Sequence, residues 1–292
     1  CDDPLYPFLL KNIHDPPLVL YVLGDPELLT GRGVAIVGSR AATHYGRSIA
    51  EKMAAGLSRQ GLTIISGMAL GIDTAAHAGT LAAQGKTIAV LGCGLDIIYP
   101  PSNRKLYRDI ASSGAVVSEY PLGTIPDNFR FPARNRIISG LSLGVVVVEA
   151  AKRSGSLITA SHALEQGREV FAVPGRIDSA KSAGAHSLLQ QGAKLVHSVN
   201  DIVEEFCCAG SPENHDDKGD DPVEPDFHDQ LNDEEAVLFT CLDVYPMTID
   251  EIVRQSGYTP QKTNELLLLL EIKGMVQTLP GNRYQRNSSQ AK

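Results

Sequence analysis

From Val34 onward the chain alternates short, wholly apolar runs with longer stretches in which apolar residues recur every three or four positions. Val34-Ala35-Ile36-Val37 reads as a strand, and so do residues 63–66, 87–91, 115–118, 145–148 and 169–173. Between the first two, residues 45–60 put Ile49, Met53, Ala54 and Leu57 on one helical face. Residues 72–83, 103–112 and 156–166 repeat that period, and shorter helices are expected at 185–191 and 200–206. Strands that are apolar along their whole length need cover on both faces. The alternation therefore predicts an α/β domain, a doubly wound, extended Rossmann-like parallel sheet.

After residue 232 the pattern changes to three helices and a strand pair. Residues 233–242 form the first helix. Thr248 and Glu251 have the spacing of a capping box for a second that ends at Gly257, and Thr259-Pro260 opens a third ending near Gly274. Residues 275–279 and 283–286 around Pro280-Gly281-Asn282 suggest a hairpin, so the small domain reads as a winged helix. The expected organisation is a lead-in segment over residues 1–30 packing on the α/β domain, that domain over 31–206, a linker over 207–232, the winged-helix-like domain over 233–286 and a tail over 287–292.

Charge alters this picture in one place. The 292 residues are 43% hydrophobic and 21% charged, a globular composition, with a net charge of -8. Residues 207–235 hold 11 acidic residues and one lysine, so the remainder is almost neutral and a polyanionic partner is not excluded. The acidic stretch is polar and dotted with proline, the composition of a disordered tether. No apolar run approaches the ~18 residues of a membrane helix, so no membrane role is expected. The five cysteines, Cys1, Cys93, Cys207, Cys208 and Cys241, show no C-x-x-C spacing, which favours a reducing, cytoplasmic setting and gives no metal site. Because residue 1 is Cys, the numbering is expected to begin inside a longer precursor or a trimmed chain, so a targeting signal cannot be read from it.

In doubly wound sheets ligands bind beyond the carboxyl ends of the strands. Those ends are glycine-rich here: Gly38-Ser39-Arg40, then Ser66-Gly67 leading to Gly71, then Gly92-Cys93-Gly94. Bare amides beside helix N-termini suit phosphate, although tight turns alone would also call for glycine. A dinucleotide fingerprint needs a second glycine where Arg40 stands, and an acid at the end of the second strand where Ser66-Gly67 stands. NAD is therefore disfavoured, and a forked cation beside amides fits a phosphodiester. Basic and aromatic residues interleave at Phe129, Arg130, Phe131, Arg134, Asn135 and Arg136, a combination that holds single strands by charge and stacking; the alternative is that the phenylalanines are core and the arginines form surface pairs. Asp73 and His77, four apart, have the spacing of an acid–base pair, but no nucleophile accompanies them and capping and packing account for both. In the small domain a duplex reader would use Gln261, Lys262 and Asn264 with Arg283 and Arg286; the absence of a basic stripe leaves protein contact equally open.

Long blocks of this sequence resemble the DNA-processing protein A family, also called DprA or Smf. They run from Val34 through Arg40 with Thr43 and Gly46, from Ser66 to His77, from Ala89 to Pro100, from Phe131 to Ser142, and from Glu149 to Ala160 with Gly155 and Ser156. The resemblance covers about residues 4–206. It implies a protein of natural transformation that binds and protects incoming single-stranded DNA and loads the RecA recombinase on it. Single-strand-binding protein is a further partner on this view, and no cofactor and no catalytic residue are implied. By the same resemblance Gly38, Ser39, Arg40 and the Arg134-Asn135-Arg136 block match the DNA pocket. His186 and Leu195 match a homodimer surface that overlaps the RecA-binding one. The competing expectation is an enzyme, a nucleoside-monophosphate phosphoribohydrolase, but its P-G-G-x-G-T-x-x-E signature is missing from residues 149–160.

Overall fold

Six of the expected apolar runs become the central strands of one eight-stranded sheet in the computed structural model, which describes residues 3–207, 232–243, 246–279 and 281–286. The strands are β1 (Tyr21–Gly24), β2 (Gly33–Gly38), β3 (Thr63–Ser66), β4 (Thr87–Val90), β5 (Ala115–Ser118), β6 (Gly144–Val148), β7 (Glu169–Ala172) and β8 (Lys194–Leu195). Their order is β1-β5-β4-β3-β2-β6-β7-β8. All neighbours are parallel except β1, which pairs antiparallel with β5 from Tyr21↔Ser118 to Gly24↔Ala115. The lead-in segment thus contributes an edge strand, which the sequence pattern did not reveal.

The interleaved helices are α1 (Phe8–Lys11), α2 (His44–Arg59), α3 (Ile72–Ala82), α4 (Arg104–Ser113), α5 (Arg130–Gly140), α6 (Gly155–Glu165), α7 (Ala183–Gln190) and α8 (Asn200–Cys207). Successive strand residues feed opposite layers. Ala35, Val37, Val145 and Val147 pack with Leu10, Ile137, Ala160 and Leu188. Val34, Ile36, Val146 and Val148 pack with Met53, Leu57, Ile72 and Ile202. Both faces of β2 and β6 are therefore sealed. Each fully buried Val or Ile contributes about 1.5–3 kcal/mol, so sliding either strand by one residue would be strongly disfavoured. The chain divides into two compact units, residues 1–212 and 213–292.

The second unit comprises α9 (Asp233–Cys241), β9 (Met247–Thr248), α10 (Ile249–Ser256), α11 (Pro260–Ile272), β10 (Val276–Leu279) and β11 (Arg283–Arg286). The Thr248–Glu251 capping box forms as the spacing predicts, and a second one joins Asn232 to Glu235. Gly257 closes α10 in the left-handed conformation and Thr259 caps α11. Leu238, Ile252, Leu266, Leu267, Leu270 and Val276 form its core, and the three strands order as β10-β11-β9. This is a winged helix. The acidic stretch from residue 208 to 231 and the tail 287–292, expected as tether and tail, lie outside the described residues.

Candidate functional site

Strand order reverses between β2 and β6: the chain leaves β2 for β3 on one side, whereas β6 and β7 extend the sheet on the other. At such a switch point the connections diverge and leave a crevice. Here the crevice is a cleft of about 540 Å³. Loop 38–41 forms one bank, the start of α6 with Arg153 and Ser154 the other, and Asp73, Arg134 and Asn135 line it from α3 and α5. A smaller pocket of about 90 Å³, walled by Leu70, Leu91, Gly92 and Tyr99, shares Arg40, Phe131 and Arg134 with the cleft.

Three cations serve this space in different ways. Arg40 is exposed and lies over the Phe131 ring, 5.2 Å from its centroid, and Phe131 stacks on Tyr99 at 5.5 Å. Arg153 is exposed on the opposite bank. Arg134 is only 3% exposed; its guanidinium donates to the carbonyls of Gly67 (2.8 Å) and Val90, and through Nε to Asn135 Oδ1 (3.2 Å). Burial pulls its pKa down to about 10, with Asp73 opposing, so it stays charged at neutral pH. Ser154 caps α6, whose first-turn amides add partial positive charge at Gly155 and Ser156.

The carboxylates nearby are held by the protein itself. Asp73 accepts from the amides of Gly67 (3.1 Å) and Ala69 (3.3 Å), and burial raises its pKa to about 6 against the pull of Arg134. His77, bonded to Thr87 at 2.7 Å, is pushed down to about 3 by burial and then by Arg134, so it is neutral. Asp73 thus braces the loop after β3, and His77 is packed against β4. Among the described residues no group of three or more His, Cys, Asp or Glu could hold a metal ion.

Several residues expected to contact a ligand stand elsewhere. Ser66 is buried and donates to Ile36 O. Thr43 caps α2 and bonds Glu149. Gly71 (φ +82°) opens α3 where a Cβ would fall 2.7 Å from Arg40 O, so it shapes the bank without lining the cleft. Arg136 is turned away and bound to Glu119 (2.7 Å) and Asp15 (3.1 Å). Phe129 is exposed outside the cleft, and Arg130 bonds Ile125 O and lies over Tyr120 and Phe129. Arg134 is a buried member of the floor where an exposed contact was expected. The aromatic platform is Phe131 with Tyr99. Arg153, which the sequence reading missed, stands one residue before the α6 cap, a position where a cation next to an N-terminus could have been noticed.

A family model described as DNA recombination-mediator protein A matches residues 1–207. The chain belongs to that family. A second model, the DprA winged helix domain, matches residues 222–282. DNA processing protein DprA of Streptococcus pneumoniae is 51% identical over 204 residues, 70% of this chain and 72% of the relative. Protein Smf of Synechocystis sp. is 40% identical over 316 residues, 98% and 79% of the two chains. In three dimensions the S. pneumoniae DprA structure superposes with a TM-score of 0.68 at 51% identity over 70% of this chain and 71% of that one. A Helicobacter pylori DNA processing protein A structure, described for its single-stranded DNA binding mode, gives 0.65 at 33% identity over 70% and 94%. Members of this family are DNA-processing recombination mediators, and none of these descriptions assigns a reaction.

In the winged helix, α11 carries a single cation, Lys262, and β11 carries Arg283 and Arg286. Lys262 pairs with Glu234 at 2.8 Å, and Arg286 donates to the carbonyls of Phe239 and Thr240. Of the side chains expected to meet a duplex, Gln261, Asn264 and Arg283 are exposed. Leu268 and Ile272 are exposed beside them on α11.

Proposed function

We propose that the cleft at the β2–β6 switch point binds single-stranded DNA and that the protein delivers it to a RecA-type recombinase, as a binder with no chemical step of its own. The observation that carries this reading is the exposed Arg40 guanidinium stacked on Phe131 above a buried, charged Arg134, with the amides at the start of α6 opposite. Cations meet backbone phosphates and the ring offers a face to a base. Each stack is worth about 1–3 kcal/mol whatever the base, so little sequence preference follows. Asp73, the carboxylate that lines the cleft, is held by Gly67 and Ala69, and Glu149 behind the loop is held by Thr43, which weighs against the phosphoribohydrolase reading. A role in natural transformation, action in the cytoplasm and cooperation with single-strand-binding protein complete the proposal. The free thiols of Cys93 and Cys241 suit such a compartment.

Homodimerisation through the β8 end of the sheet belongs to the same proposal. Leu195 is half exposed on β8, an edge strand, while His186 bonds Gly175 O at 3.0 Å and holds the preceding loop. Replacing Leu195 by Arg is expected to give monomers in sedimentation; a persisting dimer moves the interface elsewhere.

Fluorescence anisotropy with single- and double-stranded oligonucleotides of one sequence tests the binding reading. Single strands should bind more tightly and base composition should matter little. With two exposed cations on phosphates, log K should fall with log salt at a slope of about -1.4 or steeper. Equal affinity for duplex, or binding indifferent to salt, would sink it.

A further inference from the structure

Glu149 lies at the end of β6 and is 9% exposed, and it does not line the cleft. Its backbone has φ +52°, a left-handed conformation that a non-glycine residue keeps only where its surroundings over-determine it. Those surroundings are three bonds to one loop. Its main-chain oxygen accepts from Ser39 N–H at 2.8 Å, its Oε2 accepts from Thr43 N–H at 2.8 Å, and its Oε1 accepts from the Thr43 hydroxyl. Thr43 Oγ1 in turn accepts from Gly46 N–H at 3.0 Å and so caps α2. Even the next turn is shaped around the carboxylate, because a Cβ at Gly46 would fall 2.5 Å from Glu149 Cδ.

Arg40 sits between the two points at which this one residue holds the loop. We propose that Glu149 is a positioning residue: by gripping the loop at Ser39 and Thr43 it fixes where the Arg40 guanidinium stands over Phe131, and thereby sets the affinity for single-stranded DNA. The inference rests on the nucleic-acid reading of the cleft. A carboxylate suits the task because both of its oxygens accept, matching two donors on one residue, whereas a glutamine offers one acceptor. The start of α2 and those donors also offset its negative charge, so it does not repel a phosphate bound on the far side of the loop.

The test is a double-mutant cycle on the full chain, read as anisotropy of a labelled oligothymidine. Glu149→Ala should weaken binding about tenfold, the loss expected when a charge-assisted contact is misplaced, and Glu149→Gln should recover part of it. In the Arg40→Ala background Glu149→Ala should have no further effect, and in the parent background it should reduce the salt slope by about 0.7, one phosphate contact. Thr43→Val reaches the same clamp from the other side if Glu149→Ala does not fold, and should show the same dependence on Arg40. Losses that add in the two backgrounds, or no loss at all, overturn the proposal. If Arg40→Ala itself binds like the parent, the nucleic-acid reading of the cleft fails first and takes the proposal with it.

Discussion

Replacing Arg40 by Ala is the sharpest test of where a single strand lies. The side chain is exposed, it lines both the 540 Å³ cleft and the 90 Å³ pocket, and its guanidinium lies over the ring of Phe131, 5.2 Å from the centroid. An exposed cation–π contact is worth about 0.5–1 kcal/mol, so the fold should lose at most about that much. A charge-assisted, forked contact to phosphate is worth about 1.5–3 kcal/mol, which converts to a tenfold to hundredfold loss of affinity. The two effects differ enough to be separated: binding falls at least tenfold while the thermal midpoint moves by only a few degrees. Arg40→Lys should restore part of the loss, because a point charge cannot bond two oxygens in the same plane. Anisotropy titrations at fixed salt and circular-dichroism melts provide both numbers. Parental affinity in Arg40→Ala, or a variant that unfolds, would refute the placement of the strand.

The other arginines should behave differently from Arg40. Arg134→Ala removes the donor to Gly67 O and Val90 O and leaves Asp73 without its buried counter-charge, so about 3–5 kcal/mol of stability should go, seen as a large shift in urea midpoint. Arg136→Ala breaks the pair with Glu119, whose partners are 14% and 15% exposed, and should cost about 1–2 kcal/mol while leaving DNA affinity unchanged; a clear affinity loss would return Arg136 to the cleft. Asp73 should leave a signature in pH. Its carboxyl is raised from 3.8 to about 6, so the folded state binds the proton more tightly; its contribution is fully present below about pH 3.8 and lost as pH rises to about 6, roughly 3 kcal/mol in all. His77, lowered to about 3, acts oppositely, its contribution fading as pH falls below 6.5. The stability of Asp73→Asn relative to the parent should therefore improve between pH 4 and 6, and a difference that is flat with pH would contradict the burial argument.

What could be read from the sequence was set by how regular each element's buried face is. The central strands are apolar throughout because helices cover them on both sides, so they stand out without any partner being known. Strand β1 escaped because it lies at an edge, where Val22 and Leu23 remain exposed and the pairing that makes it a strand is with Ala115–Ser118, far along the chain. The winged helix was legible to its caps, since Thr248, Glu251, Gly257 and Thr259 act within a few residues of themselves. Glu149 was not, because the donors that give it a role lie 106 residues earlier.

Helix α5 shows why the cleft was harder to read than the sheet. Its buried side contains Arg134 with Ile137, Ile138 and Ser139, and a charged residue in the middle of that side breaks the apolar period by which a helix is recognised. Read only as interleaved basic and aromatic residues, with no helix assigned, Arg134 and Arg136 look equivalent as contacts to a single strand. On a helix each residue turns about 100°, so Arg136 lies about 200° from Arg134. Phe131 and Asn135, a turn apart, flank the buried side and meet the cleft. Arg136, on the far side, meets Glu119 and Asp15. The Arg134 guanidinium goes inward because main-chain carbonyls at the ends of β3 and β4 are there to receive it, an arrangement that exists only once those strands are parallel and adjacent. The same residues therefore divide into a fixed internal charge, a surface clamp and a face that lines the cleft. That division depends on a helix whose own sequence conceals it.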